Sequence, residues 1–98
     1  MKFCIGRVAE RDLQEIGDWV ARDNPDAAAR FTAELEDKAR KIASMPFGFP
    51  AVGSSARGAL RKRSYRGYII YYRVGRTTVT IVRILRHSRD QTALLRNV

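Results

Sequence analysis

The sequence predicts an α+β fold in the order β-α-α-β-β-β, an antiparallel helical hairpin packed on one face of a small, mainly antiparallel sheet. Three observations predict it. The first half carries two apolar stripes of helical period, separated at Asn24-Pro25-Asp26. The second half carries three strand-like runs. Pro46 divides the two, because the residue before a proline is driven out of the α region. A chain of 98 residues is expected to form a single domain, residues 1–98.

The elements follow in order. Lys2–Val8 reads as a short strand in which Phe3 and Ile5 alternate with Cys4, and Cys4 is expected as a small core residue. A helix starts near Ala9, with Leu13, Ile16, Gly17 and Val20 spaced i, i+3, i+4, i+7. Glu10 and Asp12 fall in its first turn, where the helix dipole favours acids. Trp19 sits at the edge of the stripe, one turn beyond Ile16, as core boundary or partner contact. Asn24 caps a second helix, with Pro25 at its first position and Asp26 in its first turn. Ala27–Ala29 are strong helix formers, and Phe31, Leu35, Ile42 and Met45 carry the stripe to Pro46. About two residues join the helices, which makes them an antiparallel hairpin.

Phe47–Gly58 reads as a loop, with two Pro-flanked aromatics and then small residues. Strands are expected at Ala59–Tyr65, Tyr68–Val74 and Thr77–Leu85. A two-residue turn at Gly75-Arg76 sets Tyr72 opposite Val79, Ile70 opposite Ile81 and Tyr68 opposite Arg83. That mostly apolar face is expected to carry the helices. The other face places Ile69, Tyr71 and Arg73 beside Thr78, Thr80 and Val82, with Ile84 and Arg86 beyond. Such a mixture suits a partner's docking surface.

Charge is distributed unevenly along the chain. Met1–Phe49 holds 8 Lys+Arg against 9 Asp+Glu, whereas Pro50–Val98 holds 11 Lys+Arg and one acid, Asp90. All four tyrosines lie between Tyr65 and Tyr72 in the basic half. A net charge of +9 fits nucleic acid, a nucleic-acid machine or an acidic partner. No apolar run approaches a membrane span, no charged-then-apolar leader opens the chain, and one cysteine cannot form an internal disulfide. Together these point to a reducing cytoplasm.

The residues support little metal or cofactor chemistry. Cys4 and His87 are the only Cys and His, and zinc wants three or four such ligands. Gly48, Gly53 and Gly58 match neither a P-loop nor a dinucleotide fingerprint, so no cofactor is implied. RNA cleavage through the 2′-hydroxyl needs a base, an acid and cations on the phosphate. His87 and the tyrosines could move protons there, with Arg61, Arg73, Arg83, Arg86 and Arg89 on the phosphate. Several of these arginines equally suit the solvated side of an edge strand, and so does the run Arg61-Lys62-Arg63.

Several segments in sequence order go together: Ala9-Glu10-Arg11-Asp12-Leu13-Gln14-Glu15-Ile16, Asn24-Pro25-Asp26-Ala27-Ala28 and the Pro46/Gly48 helix end. They continue through Tyr68-Ile69-Ile70-Tyr71-Tyr72-Arg73-Val74 to Val79-Thr80-Ile81-Val82-Arg83-Ile84-Leu85 and an Arg-rich tail. In these segments the whole chain resembles the ParE branch of the RelE/ParE toxin superfamily. The resemblance implies the toxin half of a bacterial type II toxin–antitoxin pair. ParE-like members act on DNA gyrase by binding, stabilise cleaved DNA and are not enzymes in doing so. RelE-like members share the fold and cut messenger RNA on the ribosome as metal-independent endoribonucleases. That is the alternative reading, and a non-toxic basic binding module is a third. Both toxin branches are silenced by a small, often acidic antitoxin.

Two departures bear on the site. Family tails often place His directly after the last strand, where this chain has Arg86, with His87 following. RelE-like nucleases commonly end with a catalytic Tyr, and no Tyr follows Tyr72. The expected target-binding residues are therefore Arg83, Arg86, His87 and Arg89. The expected antitoxin-binding residues are Trp19, Ile69, Tyr71 and Arg73, in a toxin–antitoxin hetero-oligomer.

Overall fold

The computed structural model describes residues 1–55 and 58–87. Its elements are β1 (Lys2–Ile5), α1 (Arg7–Ala21), α2 (Pro25–Ile42), β2 (Ala51–Ser55), β3 (Gly58–Tyr65), β4 (Tyr68–Val74) and β5 (Thr78–Arg86). All five strands join one sheet in the order β1-β5-β4-β3-β2. Only β1 runs parallel to its neighbour; the other pairs are antiparallel. The α+β class, the helical hairpin and the mainly antiparallel sheet agree with the sequence reading.

Helix α2 begins where local chemistry satisfies one of its first N–H groups. Asn24 Oδ1 accepts from the Ala27 N–H at 3.1 Å, and Pro25 follows at the first position, where no N–H is needed. Gly6 enters α1 with extended backbone and no side-chain cap. Helix α2 ends at Ile42, so Met45 lies beyond it and is exposed, outside the stripe that the sequence assigned it.

The core lies between the hairpin and one face of the sheet. Ala9, Leu13 and Ile16 of α1 and Leu35, Ala39 and Ile42 of α2 pack on Ile70, Tyr72, Val79, Ile81 and Ile84. Complete burial of a Leu or Ile side chain stabilises the fold by about 1.5–3 kcal/mol. A second buried cluster, Leu60, Ile69, Tyr71 and Leu85, lies on the other face with Val82 against it.

Further sequence expectations are corrected. The segment Ala51–Ser55, expected as loop, is the edge strand β2, paired with β3 from Ala51↔Arg61 to Ser55↔Gly58. Backbone hydrogen bonds hold it, and its small residues give no alternating pattern to read. The β4–β5 register also differs: Val74 faces Val79 and Tyr72 faces Ile81, with a shift between Tyr71 and Tyr72. The connection is longer than two residues, and Gly75 N–H donates to the Thr78 carbonyl at 2.8 Å. Cys4, finally, is exposed on the edge strand β1, while Phe3 and Ile5 turn inward.

The register shift is a β-bulge at Val82-Arg83, with two residues opposite Tyr71. Beyond it Ile70 faces Ile84, Ile69 faces Leu85 and Tyr68 faces Arg86. Without the extra residue Arg83 would oppose Ile70 over the apolar core. The bulge instead places Ile84 in that core and Leu85 in the second cluster. Ile84 and Arg86 therefore lie on the helix side of the sheet, not on the open face expected for them.

Candidate functional site

The end of β5 is clamped to α1 by Asp12. Arg83 Nε donates to Asp12 Oδ2 and Nη2 to Oδ1, both at 2.8 Å, and the Ile84 backbone N–H donates to Oδ2 at 3.0 Å. This two-point guanidinium–carboxylate geometry is the strong form of an ion pair. The Arg83 and Asp12 side chains are 15% and 7% exposed, and the hydrogen bonds that Arg83 donates to Asp12 raise its pKa above its already high value. Asp12 thus fixes both the bulged side chain and the next backbone amide.

Beyond the clamp, Arg86 and His87 are exposed. The Arg86 guanidinium lies 5.6 Å from the Trp19 ring centroid, and that of Arg22 lies 5.1 Å from it. Trp19 is 53% exposed and is flanked by these cations rather than packed in the core. Together with Ile16, Tyr68, Ile84 and Leu85 it lines a groove of about 400 Å³, edged by Glu15 and Arg86. The groove has an apolar floor and charges of both signs on its rim. The His87 N–H donates to the Gly67 carbonyl at 2.9 Å, which ties the end of β5 to the β3–β4 turn.

The structure brings together some sequence-predicted residues and separates others. Arg86 and Trp19 meet at the groove. Arg83 is held by Asp12 and does not project as an open cation. Arg89 lies outside the described residues. Ile69 and Tyr71 are 3% and 4% exposed, so they form part of a packed cluster and not an open docking face; Arg73 beside them is half-buried. Sequence reasoning missed Asp12, which it placed only in a helical first turn. The signal was there: Ala9, Asp12, Leu13 and Ile16 are spaced i, i+3, i+4, i+7, so this acid occupies an inward position.

Two tyrosine hydroxyls are occupied structurally. Tyr72 donates to the Pro46 carbonyl at 2.7 Å, and Tyr65 to Glu34 Oε2 at 3.0 Å. Among the described residues no cluster of three or more His, Cys, Asp or Glu side chains is placed to hold a metal ion.

Residues 5–91 match the family described as the ParE toxin of the type II toxin–antitoxin system parDE. The chain belongs to the ParE toxin family. The ParE fold is also seen in its structural relatives. A chain of the chromosomal ParDE system from P. aeruginosa superposes with a TM-score of 0.72 at 20% identity, covering 88% of this chain and 95% of that one. A chain of the RelBE2 toxin–antitoxin complex from Mycobacterium tuberculosis does so with a TM-score of 0.63 at 21% identity, covering 89% and 92%. A search of curated proteins finds no match. Among the described residues no helix of this ParE-family toxin is long and apolar enough to cross a membrane.

Proposed function

We propose that this ParE-family chain arrests growth in the bacterial cytoplasm by binding DNA gyrase and holding it on cleaved DNA. A cognate antitoxin silences it. The observation that carries the reading is the clamped end of β5. Asp12 takes Arg83 out of solvent and fixes β5 just ahead of Arg86, its last residue, and His87. The Arg86 cation at this fixed strand end suits binding to an enzyme–DNA complex, because the strand that carries it needs no ordering on contact. Arg86, His87 and Arg89 are the proposed target contacts, and Arg83 acts through position. The antitoxin is proposed to fill the Trp19 groove and so cover Arg86. Arg73 lies on the other face as a further proposed contact. Ile69 and Tyr71 support that face from within.

Messenger RNA cleavage has weaker support, since Tyr65 and Tyr72 give their hydroxyls to structural partners. The test is the purified chain with gyrase, ATP and supercoiled DNA, scored for linear, gyrase-bound product. Cleaved complexes that disappear with Arg86→Ala plus Arg89→Ala, in a variant that melts like the parent, support the proposal. No cleaved complex at stoichiometric excess, together with transcript cleavage that is lost on His87→Ala, supports the ribosomal reading instead.

A further inference from the structure

A second basic surface lies on the helix side of β3, past the C-terminal end of α2. Three cation–ring pairs line up there. The Arg61 guanidinium lies 5.0 Å from the Phe47 centroid, that of Arg63 lies 5.0 Å from Phe49, and Lys38 Nζ lies 5.3 Å from Tyr65. The β3 members alternate, so successive pairs are about 7 Å apart along the strand. Lys38 comes from α2 and both phenylalanines from the loop Met45–Pro50.

That loop is rigidly held. Four of its six carbonyls are bonded: Met45 to the Gly48 N–H at 3.0 Å, Pro46 to the Tyr72 hydroxyl at 2.7 Å, Phe49 to Arg61 Nη1 at 2.6 Å and Pro50 to the Lys62 N–H at 3.1 Å. Prolines stand at two of its positions, and a Cβ on Gly48 would approach the Met45 side chain to 2.9 Å. Phe47 is nevertheless 66% exposed. A fixed loop that presents a large ring to water has already given up the entropy that binding would cost.

We infer that Phe47, Arg61 and Arg63 form a binding surface for single-stranded nucleic acid. The cations alone would suit any polyanion. The displayed ring selects bases, because an unpaired base has an open face to stack on an aromatic side chain, with cations beside it to take the phosphates. Duplex DNA offers no such face along its length. Phe49 packs against the core and supplies no platform, so Phe47 is the single stacking position. The surface ends at Tyr65, where Glu34 accepts from Tyr65 and Arg66, and at Lys41, which pairs with Asp37 at 3.0 Å.

The test is fluorescence anisotropy of the full chain with labelled short oligothymidylate and oligouridylate at several salt concentrations. Gyrase is absent, so the result is independent of the gyrase proposal. Phe47→Leu keeps an apolar side chain at an exposed site and is expected to weaken binding roughly fivefold or more with an unchanged salt slope. Arg61→Gln is expected to reduce that slope by about one. Because it also removes the bond to Phe49, its melting curve is recorded alongside. Unlabelled duplex and polyglutamate are expected to compete poorly. The inference is overturned if the oligomers do not bind, if Phe47→Leu binds as tightly as the parent, or if polyglutamate competes as well as the oligomer. That last result would mark the surface as a site for an acidic peptide.

Discussion

Replacing Asp12 with alanine removes the acceptor for two Arg83 bonds at 2.8 Å and for the Ile84 N–H at 3.0 Å. Breaking a buried ion pair from one side costs about 3–5 kcal/mol, because the remaining charge is left without compensation. An orphaned buried N–H carries a penalty of about 1–3 kcal/mol, and the two overlap since they share one carboxylate. Arg83 retains 15% exposure and can partly rehydrate, which places the expected loss near the lower bound, about 3 kcal/mol. For a domain of this size that is a fall in Tm of roughly 12–24 °C. Urea denaturation is the assay, with a lower midpoint at an unchanged m-value. Asp12→Asn keeps an oxygen acceptor and is expected to lose less. A double-mutant cycle with Arg83→Met completes the test: Met removes the stranded charge, so the double variant is expected to recover much of the loss. A loss under about 1 kcal/mol for Asp12→Ala, the level of a solvent-screened pair, would refute the clamp. So would a coupling near zero.

Two further predictions concern pH. Burial raises the Tyr72 pKa above its ordinary 10.0, against a lowering by Arg61 and Arg63. The folded state then holds this proton more tightly than the unfolded chain. Its contribution is complete below the unfolded value and is lost as pH rises through the folded one. Tyr72→Phe is expected to cost about 1 kcal/mol at neutral pH, through the bond to Pro46, and to flatten the alkaline decline in urea midpoint. Glu34 shifts the other way: the Tyr65 hydroxyl first, then Arg66, lower its pKa. Its contribution is present above the unfolded value and is lost as pH falls through the folded one, so Glu34→Gln should give a shallower acid limb in the same titration.

The amino-acid sequence by itself determined the elements whose signals are local. Asn24-Pro25 sets the start of α2, Pro46 bars its continuation, and the stripes fix which helix faces turn inward. Side-chain alternation likewise placed Ile70, Tyr72, Val79 and Ile81 on one face, and they share the core. The charge contrast between the halves pointed to a cationic working surface. Tertiary structure decided what depends on residues distant in the chain. Strand β2 exists because β3 offers it a hydrogen-bonding edge, and its own small side chains carry no such information. The bulge at Val82-Arg83 reverses the faces of Ile84, Leu85 and Arg86, since side-chain direction has period two and one extra residue inverts it. Helical spacing already turns Asp12 inward, but its partner Arg83, 71 residues away, is supplied only by the fold. Propensity and period act over one turn or one strand, whereas register and charge pairing are settled by which segments the folded core brings into contact.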